Sequence, residues 1–349
     1  MPGAAAYTGE PLRLALAAPV FAAPGYPTLR TPSLEAASWA AVRGLVVRAE
    51  ELGFDSAWFS DHLFHGRDGA FFESWTALCV AAGETSGIRL VNNHLGNGLR
   101  DARMLAKMAT TLAAITDGRF DLFLATGYRE REYRAYGMPW EPLAVRTRRL
   151  AEALKTVRLL WPGRPVDAGG EFYPLRDAIA APSYGQRPFI WLGGPLDGGT
   201  CELVAAEADG WSSFPLGLDE YREQAARVDA ACVAIGRDPR SLRRSLETQV
   251  LVLDDASDWD RWLDRWRSLR AALPLGSAVD DLVPAPEELD DEFVTATCRS
   301  RFLVGTRAEV ARRVSAYQTA GVTDLVCWLM DAPSDASMTA LAGIVESIG

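Results

Sequence analysis

Eight short apolar runs that alternate with amphipathic segments constrain the fold of this chain more than any other feature. Each run is bounded by turn or polar residues and is short enough to be a buried strand. The predicted strands are residues 12–18, 54–59, 88–94, 120–125, 189–193, 211–214, 246–253 and 323–328. The segments between them repeat apolar residues at helical spacing, as Trp39, Val42 and Val46 do in the first. Strands that alternate with helices in this way build a parallel sheet.

The number of strands favours a closed barrel over an open sheet. Eight parallel strands, each followed by a helix, close into a barrel of about 250 residues. An open doubly wound sheet usually carries a glycine fingerprint directly after its first strand, and here Ala17, Ala18 and Pro19 occupy that place. We therefore predict an α/β fold, a (β/α)8 TIM barrel with insertions, as a single domain over residues 1–349.

The largest surplus over a bare barrel is residues 254–300, predicted to be an insertion between the seventh and eighth strands. The segment is acidic, and Trp259, Trp262 and Trp266 follow one another at helical spacing. An aromatic stripe on a helix is more often a packing surface than a substrate gate. We predict packing or subunit contact for these tryptophans.

The composition argues against several classes of protein. A net charge of −10 is unlike that of a nucleic-acid-binding surface. The five cysteines are scattered and form no CxxC pair, which indicates reduced thiols in a cytosolic protein. The sequence has no signal-peptide pattern and no membrane-spanning apolar run. We expect a cytoplasmic protein that acts on a small molecule or on another protein.

Polar residues interrupt the second and third strands near their carboxyl ends, where barrels collect their chemistry. Asp61 and His62 follow the second strand, and the third contains Asn92, Asn93 and His94. A histidine there can act as a base or bind a polar ring near neutral pH. Alternatively, Asp61 caps the next turn, His62 is merely partly buried, and the polar groups of the third strand satisfy one another.

The fourth strand ends in a corner, Thr126-Gly127-Tyr128, that precedes the charged residues 129–132. Gly127 allows the backbone to turn sharply where the strand stops. We predict that residues 129–132 are the solvated start of a helix, with Tyr133 on its inner face. An ordinary strand, turn and surface helix is an equally good interpretation of this stretch alone.

A glycine-rich loop follows the fifth strand and includes Gly193, Gly194 and Pro195 before a helix at Thr200. Glycines at a helix N-terminus expose backbone N–H groups that suit a phosphate. A metal site is not predicted, because the spacing of His62 and His65 has no further ligand cluster to accompany it.

Several segments, taken in order, resemble the bacterial luciferase-like family of flavin-dependent oxidoreductases. They are GFDSAWFSDH at 53–62, ETSGIRL at 84–90, LAKMATTLAAITDGRFDLFLATGYREREYRAYG at 105–137, PFIWLGGP at 188–195, AAEADGW at 205–211 and VGTRAEVARRVSAYQTAGVTDLV at 304–326. The resemblance implies a TIM barrel with a flavin or deazaflavin across its mouth and the phosphate beside the glycine-rich loop. The residues it implies around the ring are Asp61, His62, Asn93, His94, Thr126 and Gly127, bordered by Tyr128 and Tyr133.

Two chemistries occur in that family, and the sequence has features of both. The Ser60-Asp61-His62 triplet resembles members that pass a hydride through coenzyme F420, whereas residues 126–133 equally resemble members that use FMN and oxygen. The polar stretch Asn92-Asn93-His94 departs from many relatives and puts donors and acceptors beside the ring, which favours FMN.

The resulting hypothesis is a monooxygenase in which reduced FMN and O2 oxidise a small organic substrate, with His62 or His94 as proton donor or acceptor. The alternatives are an F420-dependent oxidoreductase and a non-catalytic flavin-binding subunit. The resemblance further implies a flavin reductase as supplier of reduced flavin, and a homodimer or tetramer.

Overall fold

The described part of the chain forms a closed barrel of parallel strands surrounded by helices. The structure is a computed structural model that describes residues 11–26, 28–272 and 290–348. Its strands are β1 (Arg13–Ala17), β2 (Ser56–Ser60), β3 (Arg89–Gly96), β4 (Phe120–Ala125), β5 (Val166–Ala168), β6 (Leu175–Ala178), β7 (Phe189–Gly193), β8 (Gly210–Ser213), β9 (Arg243–Leu253), β10 (Leu303–Thr306) and β11 (Asp324–Leu329). Its helices are α1 (Trp39–Glu51), α2 (Ser74–Glu84), α3 (Ala102–Ile115), α4 (Glu130–Ala135), α5 (Leu143–Leu160), α6 (Thr200–Glu207), α7 (Leu218–Ala234), α8 (Asp258–Ala271), α9 (Asp291–Arg301), α10 (Arg307–Thr319) and α11 (Ala336–Ile348).

Eight of the strands close the barrel, each pairing in parallel with the next in the order β1, β2, β3, β4, β7, β8, β9 and β11. The ring closes where Arg13 of β1 lies opposite Asp324 of β11. The predicted (β/α)8 TIM barrel is confirmed, and each predicted strand overlaps one of these eight. Because all the strands run parallel, their carboxyl ends meet at one mouth.

Three strands, β5, β6 and β10, lie outside the eight that the sequence predicts. The sequence pattern predicts only that residues 304–306 lead into a helix, but β10 pairs in parallel with the second half of β9, with Leu303 opposite Val250. This pairing is available because β9 is 11 residues long and extends beyond its barrel partners. The sequence also predicts a short hairpin at residues 167–173, and the structure has an antiparallel pair there, β5 with β6, of which β6 begins two residues later, at Leu175.

Ser33 precedes the first amphipathic segment and is a residue type that caps helices, so the sequence predicts a helix that begins there, but the first helix begins later. Ser38 is the N-cap of α1, and its side chain accepts a hydrogen bond from the backbone N–H of Ala41 at 3.4 Å. Ser33 is used differently, because its hydroxyl donates to the carbonyl of Met330 at 2.7 Å and fixes the β1–α1 loop to the end of β11.

None of the helices in the described ranges has the length and apolarity needed to cross a bilayer.

The segment between β9 and β10 contributes α8 and α9, which build a second core. Trp259, Trp262 and Trp266 are buried there with Val294 and Cys298 of α9. The described part of the tryptophan stripe therefore serves packing. The predicted insertion, 254–300, includes residues 273–289, which lie outside the described residues, as do residues 1–10, where a signal peptide was judged absent.

The amino-terminal end of the barrel is closed by ion pairs between neighbouring strands. Arg89 of β3 donates to Asp121 of β4 at 3.1 Å, and Arg243 of β9 donates to Asp324 of β11 at 3.2 Å. Both aspartates are buried, so each carboxylate depends on its arginine.

Candidate active site

Side chains from six different barrel strands or the turns after them converge at the carboxyl-terminal mouth. They form two histidine–carboxylate pairs, one centred on His62 and the other on His94. Tyr128, from the corner after β4, lies between them, with ring centroids 5.7 Å from His62 and 6.3 Å from His94. The structure thus brings together the two histidines and the tyrosine that the sequence singled out.

His62 is held on both sides of its ring. Its Nδ1 lies 3.0 Å from Oε1 of Glu132, and its Nε2 lies 3.0 Å from the hydroxyl of Tyr128. Glu132 also accepts the backbone N–H of Leu63 at 3.1 Å. Burial opposes ionisation of Glu132, but its hydrogen bond to His62 and the charge of Arg129 together leave its pKa below the ordinary value. The imidazole therefore faces a carboxylate at Nδ1 and a phenol at Nε2.

The prediction that residues 129–132 form a solvated helix start is wrong for two of them. Arg129 and Glu132 are buried, and the Arg129 Nε lies 2.5 Å from the Glu132 carboxylate. Only Glu130 and Arg131 of this run are exposed. The reason is the pitch of α4, which turns Glu132 inward toward His62 while Glu130 and Arg131 face solvent.

His94 is held by a carboxylate from the other side of the barrel. Its Nε2 contacts Glu247 of β9, which has no exposed surface. Glu247 also accepts Asn93 Nδ2 at 2.9 Å and Trp328 Nε1 at 3.0 Å. Arg30 is 3.7 Å from the same carboxylate. Burial raises the pKa of Glu247, but His94, Arg30 and Asn93 more than offset it, so the pKa lies well below the ordinary value.

The backbone of β3 is distorted at His94 so that two consecutive side chains reach the barrel interior. His94 has a φ of 56°, in the left-handed region, and the register with β4 shifts between Asn92 and Leu95. Side chains in a regular strand alternate between faces, whereas here Asn93 and His94 both contact Glu247. The Asn93 Oδ1 and His94 Nδ1 atoms are buried and have no hydrogen-bond partner within the described residues.

Asn92 is satisfied within the fold and does not face a ligand. Its Nδ2 donates to the carbonyl of Phe123 at 2.9 Å, and its Oδ1 accepts the N–H of the same residue at 3.2 Å. The preference for FMN rested on polar groups of the stretch 92–94 lying beside the flavin. Most of those groups bind Phe123 or Glu247 instead, which removes much of that argument.

Aromatic side chains enclose the histidines and Tyr128. The ring of His94 lies 4.7 Å from Phe123 and stacks on Phe214 at 5.4 Å. Phe214 follows β8 and also meets the Tyr128 ring at 6.1 Å. Apolar walls of this kind lower the local dielectric and strengthen the hydrogen bonds of the polar groups between them.

Three predicted site residues lie to one side of this cluster. Asp61 accepts a hydrogen bond from Arg100 at 3.1 Å, and Arg100 lines a cavity of about 220 Å³ together with Thr126 and Tyr133. The Tyr133 ring packs so closely on the strand ends that a Cβ at Gly127 would lie 2.5 Å from its hydroxyl. Burial raises the pKa of Tyr133 above its ordinary range, so this residue is a buried phenol.

The glycine-rich loop after β7 has the features that a phosphate site needs. Gly194 has a φ of +108° and open space where a Cβ would be. Gly199 caps α6 in the left-handed region without a side-chain hydrogen bond, and the buried Thr200 hydroxyl has no partner among the described residues. Gly193 packs against Phe123, and Pro195 is exposed. The open loop at Gly194, the Thr200 hydroxyl and the unpartnered atoms of Asn93 and His94 together fit a cofactor that carries a phosphate and a polar ring.

A family model described as luciferase-like monooxygenase matches residues 18–324, a range that contains His62, His94, Tyr128 and the two carboxylates Glu132 and Glu247. The chain belongs to the luciferase-like monooxygenase family. This confirms the resemblance inferred from the sequence and makes the chain a member of a family of oxidoreductases.

Within the described ranges, no three His, Cys, Asp or Glu side chains group as metal ligands.

Relatives of this luciferase-like chain include both chemistries. It is 29% identical over 288 residues to an F420-dependent glucose-6-phosphate dehydrogenase of Kineococcus radiotolerans, covering 80% of this chain and 84% of that protein. It superimposes with a TM-score of 0.75 on an F420-dependent secondary alcohol dehydrogenase at 16% identity, covering 97% and 100% of the two chains. A monooxygenase from Streptomyces bottropensis gives 0.74 at 19% identity, covering 97% and 99%. At these identities the two structures establish the fold alone.

The two carboxylates that hold the histidines, Glu132 and Glu247, were not predicted from the sequence. One feature of the sequence points to Glu247: it is a lone acidic residue inside an apolar run that was predicted to be buried. No such feature distinguishes Glu132, because it lies in a charged segment with the composition of a solvated helix. Arg30 lies in an irregular segment beside the mouth, and Phe214 is the last residue of a predicted strand that ends one residue earlier in the structure, so neither stood out in the sequence.

Proposed function

We propose that this luciferase-like protein is an F420-dependent oxidoreductase that interconverts a hydroxyl and a carbonyl group on a small substrate. The observation that carries the proposal is the buried Glu132–His62 pair at the mouth. Interconverting an alcohol and a carbonyl moves one proton for every hydride, so the site must hold a group that can take or supply it. The F420-dependent relative named above supports the same cofactor.

The bound deazaflavin would supply the hydride chemistry, and the chain's own residues would position it and manage the proton. The loop at Gly194 and the hydroxyl of Thr200 would hold its phosphate. Asn93 and His94 would offer their unpartnered atoms to its ring. The aromatic wall formed by Phe123 and Phe214 would exclude water from the reacting carbon.

A monooxygenase that uses reduced FMN and oxygen is the second candidate, and the description of the matching family favours it. The sequence analysis preferred this function. We rank it second because Asn92 binds the backbone of β4 and does not present its polar groups to a ligand. This second function would also require a flavin reductase as a partner, whereas the F420 function would not.

The two functions are separated by cofactor titration. Fluorescence titrations with F420 and with FMN, each against the purified chain, should give micromolar or tighter binding for F420 and weaker binding for FMN. F420 reduction should then be followed with glucose 6-phosphate and with isopropanol as probe substrates. Tight FMN binding, together with oxygen consumption above the free-flavin background and no F420 binding, would establish the monooxygenase instead.

The contribution of His62 to turnover is tested separately from folding. His62→Asn should lower F420 turnover while the circular dichroism spectrum and the F420 dissociation constant stay unchanged. The matched control is Tyr136→Phe, since Tyr136 is 58% exposed and outside the mouth. If wild-type protein binds cofactor but transfers neither hydride nor oxygen to any probe, the non-catalytic flavin-binding alternative gains support.

A further inference from the structure

We propose that Tyr128 is the catalytic residue that exchanges the reaction proton with the substrate, and that His62 and Glu132 are positioning residues behind it. The inference rests on the proposed function, since it assigns the proton step of an alcohol–carbonyl interconversion. It differs from the expectation that a histidine contacts the substrate.

The first argument is that His62 has no ring nitrogen left for a substrate. Its Nδ1 is 3.0 Å from Glu132 and its Nε2 is 3.0 Å from the Tyr128 hydroxyl. Imidazole has only these two hydrogen-bonding atoms. A substrate oxygen could reach the Nε2 only by displacing Tyr128, whereas it can hydrogen-bond to the tyrosine hydroxyl without disturbing the pair.

The second argument is the gradient of burial along the three side chains. Glu132 is 1% exposed, His62 is 5% exposed, and Tyr128 is partly exposed. The order from carboxylate to imidazole to phenol therefore runs from the protein interior outward to the mouth. The last group in the row is the one that a small molecule meets first.

The third argument is that the corner after β4 directs the tyrosine toward Phe214 on the other side of the mouth. Gly127 has a φ of +83°, a conformation in which a side chain is strained. The turn carries Tyr128 toward Phe214 after β8, two strands beyond β4 in the sheet. Glu132 then reaches back from the first turn of α4 to the same imidazole.

The proton states of the three groups agree with this order. The lowered pKa of Glu132 makes it a carboxylate that accepts the Nδ1–H of His62. Loss of hydration raises the pKa of Tyr128 to about 12, so the phenol keeps its proton until His62 accepts it. The charged groups that act on Tyr128 are Arg30, Arg129, Glu132 and Glu247.

In the direction of alcohol oxidation, two bonds of the substrate break. The substrate C–H bond breaks and its hydride goes to the oxidised deazaflavin. The substrate O–H bond breaks and its proton goes to the Tyr128 oxygen as the carbonyl forms. The original phenol proton moves to His62 Nε2, and the resulting imidazolium is stabilised by Glu132. Carbonyl reduction is the same sequence reversed.

Tyr128→Phe tests the proposal, because it keeps the ring and removes only the hydroxyl. We expect turnover with glucose 6-phosphate or isopropanol to fall by about 10²–10⁴-fold, the usual contribution of a general acid or base. The F420 dissociation constant should change less than about 3-fold. Tyr136→Phe is the matched control and should leave both quantities unchanged.

A second measurement does not depend on the substrate. The chain has three histidines, so ¹⁵N spectra of selectively labelled protein show three imidazoles, which His62→Asn assigns. Tyr128→Phe should shift the Nε2 resonance of His62, and Glu132→Gln should shift its Nδ1 resonance, with the other two rings unmoved.

The outcomes separate this inference from the proposed function. If wild-type protein turns over F420 and Tyr128→Phe keeps its turnover within about 3-fold, the inference is wrong and the proposed function stands. If F420 does not bind at all, both fail. If F420 binds but neither probe reacts, the spectra decide, and an unshifted His62 Nε2 in Tyr128→Phe overturns the inference.

Discussion

Replacing Glu247 with glutamine is the most demanding test of how the barrel interior is built. The carboxylate accepts Asn93 Nδ2 at 2.9 Å and Trp328 Nε1 at 3.0 Å, and it also binds His94. An amide keeps the shape but has one acceptor oxygen and one donor nitrogen. In either orientation of the amide, at least one buried donor loses its acceptor. The substitution also removes the negative charge of the carboxylate that contacts His94.

The magnitude follows from those losses. A buried donor left without an acceptor costs about 1–3 kcal/mol, and removing one partner of a buried ion pair costs about 3–5 kcal/mol. We therefore expect Glu247→Gln to lower the free energy of unfolding by about 3–5 kcal/mol at neutral pH. Glu202→Gln is the matched control, because Glu202 is exposed, and it should change stability by less than about 0.5 kcal/mol.

The pKa of Glu247 fixes the direction in which the effect of Glu247→Gln changes with pH. The folded-state pKa of Glu247 lies below its ordinary value of 4.5, so its ionised form is favoured by folding. Its contribution is complete above the ordinary pKa and is lost as pH falls from there toward the folded-state pKa. The part of the difference between wild type and Glu247→Gln that comes from the ionisation of Glu247 should thus be complete above about pH 5.5 and smaller at about pH 4.

Urea unfolding followed by circular dichroism at these pH values measures the difference directly. A destabilisation below about 1 kcal/mol at neutral pH would refute the claim that Glu247 organises the interior. A destabilisation that is equally large at about pH 4 would refute the claim that the charge, rather than the shape, carries the effect.

Three further predictions address packing and exposure. Gly96→Ala would place a Cβ 2.4 Å from the Tyr133 hydroxyl, so it should lower the free energy of unfolding by about 1–3 kcal/mol. The double variant with Tyr133→Phe should recover part of this loss, and additive effects of the two substitutions in urea unfolding would contradict the prediction. Trp266→Ala should lower the free energy of unfolding by about 3–5 kcal/mol, because Trp266 is 2% exposed; a loss under about 1 kcal/mol in urea unfolding would show that the second core contributes little. Among the five cysteines, Cys79 is exposed and the others are buried; a thiol reagent should therefore label one site quickly in the native protein and none in Cys79→Ser.

The fold was predictable because it depends on local patterns that repeat. Each barrel strand is a short apolar run between turn residues, as 120–125 and 189–193 show, and their number selects the architecture. Boundaries were less accurate where a residue serves a distant partner. Ser33 looked like a helix cap, yet its hydroxyl bonds Met330, 297 residues away.

The candidate site was half predictable for the same reason. His62, His94 and Tyr128 were visible because they interrupt apolar runs at strand ends. Their carboxylate partners were not, because the sequence separation is large: Asn93 and Glu247 are 154 positions apart along the chain. Whether a glutamate such as Glu132 points inward depends on the phase of a short helix, and that phase is set by the preceding turn and not by the charge pattern.

The left-handed backbone at His94 has a consequence for changing what the enzyme accepts. A randomised library at the mouth would treat positions 93 and 94 as independent, but the φ of 56° restricts position 94 to the few residue types that tolerate it, chiefly glycine, asparagine, aspartate and histidine. Other residues there would tend to straighten β3 and turn one of the two side chains out of the barrel. Diversity is better introduced at Phe214, which lies after the end of β8 and carries no such backbone constraint.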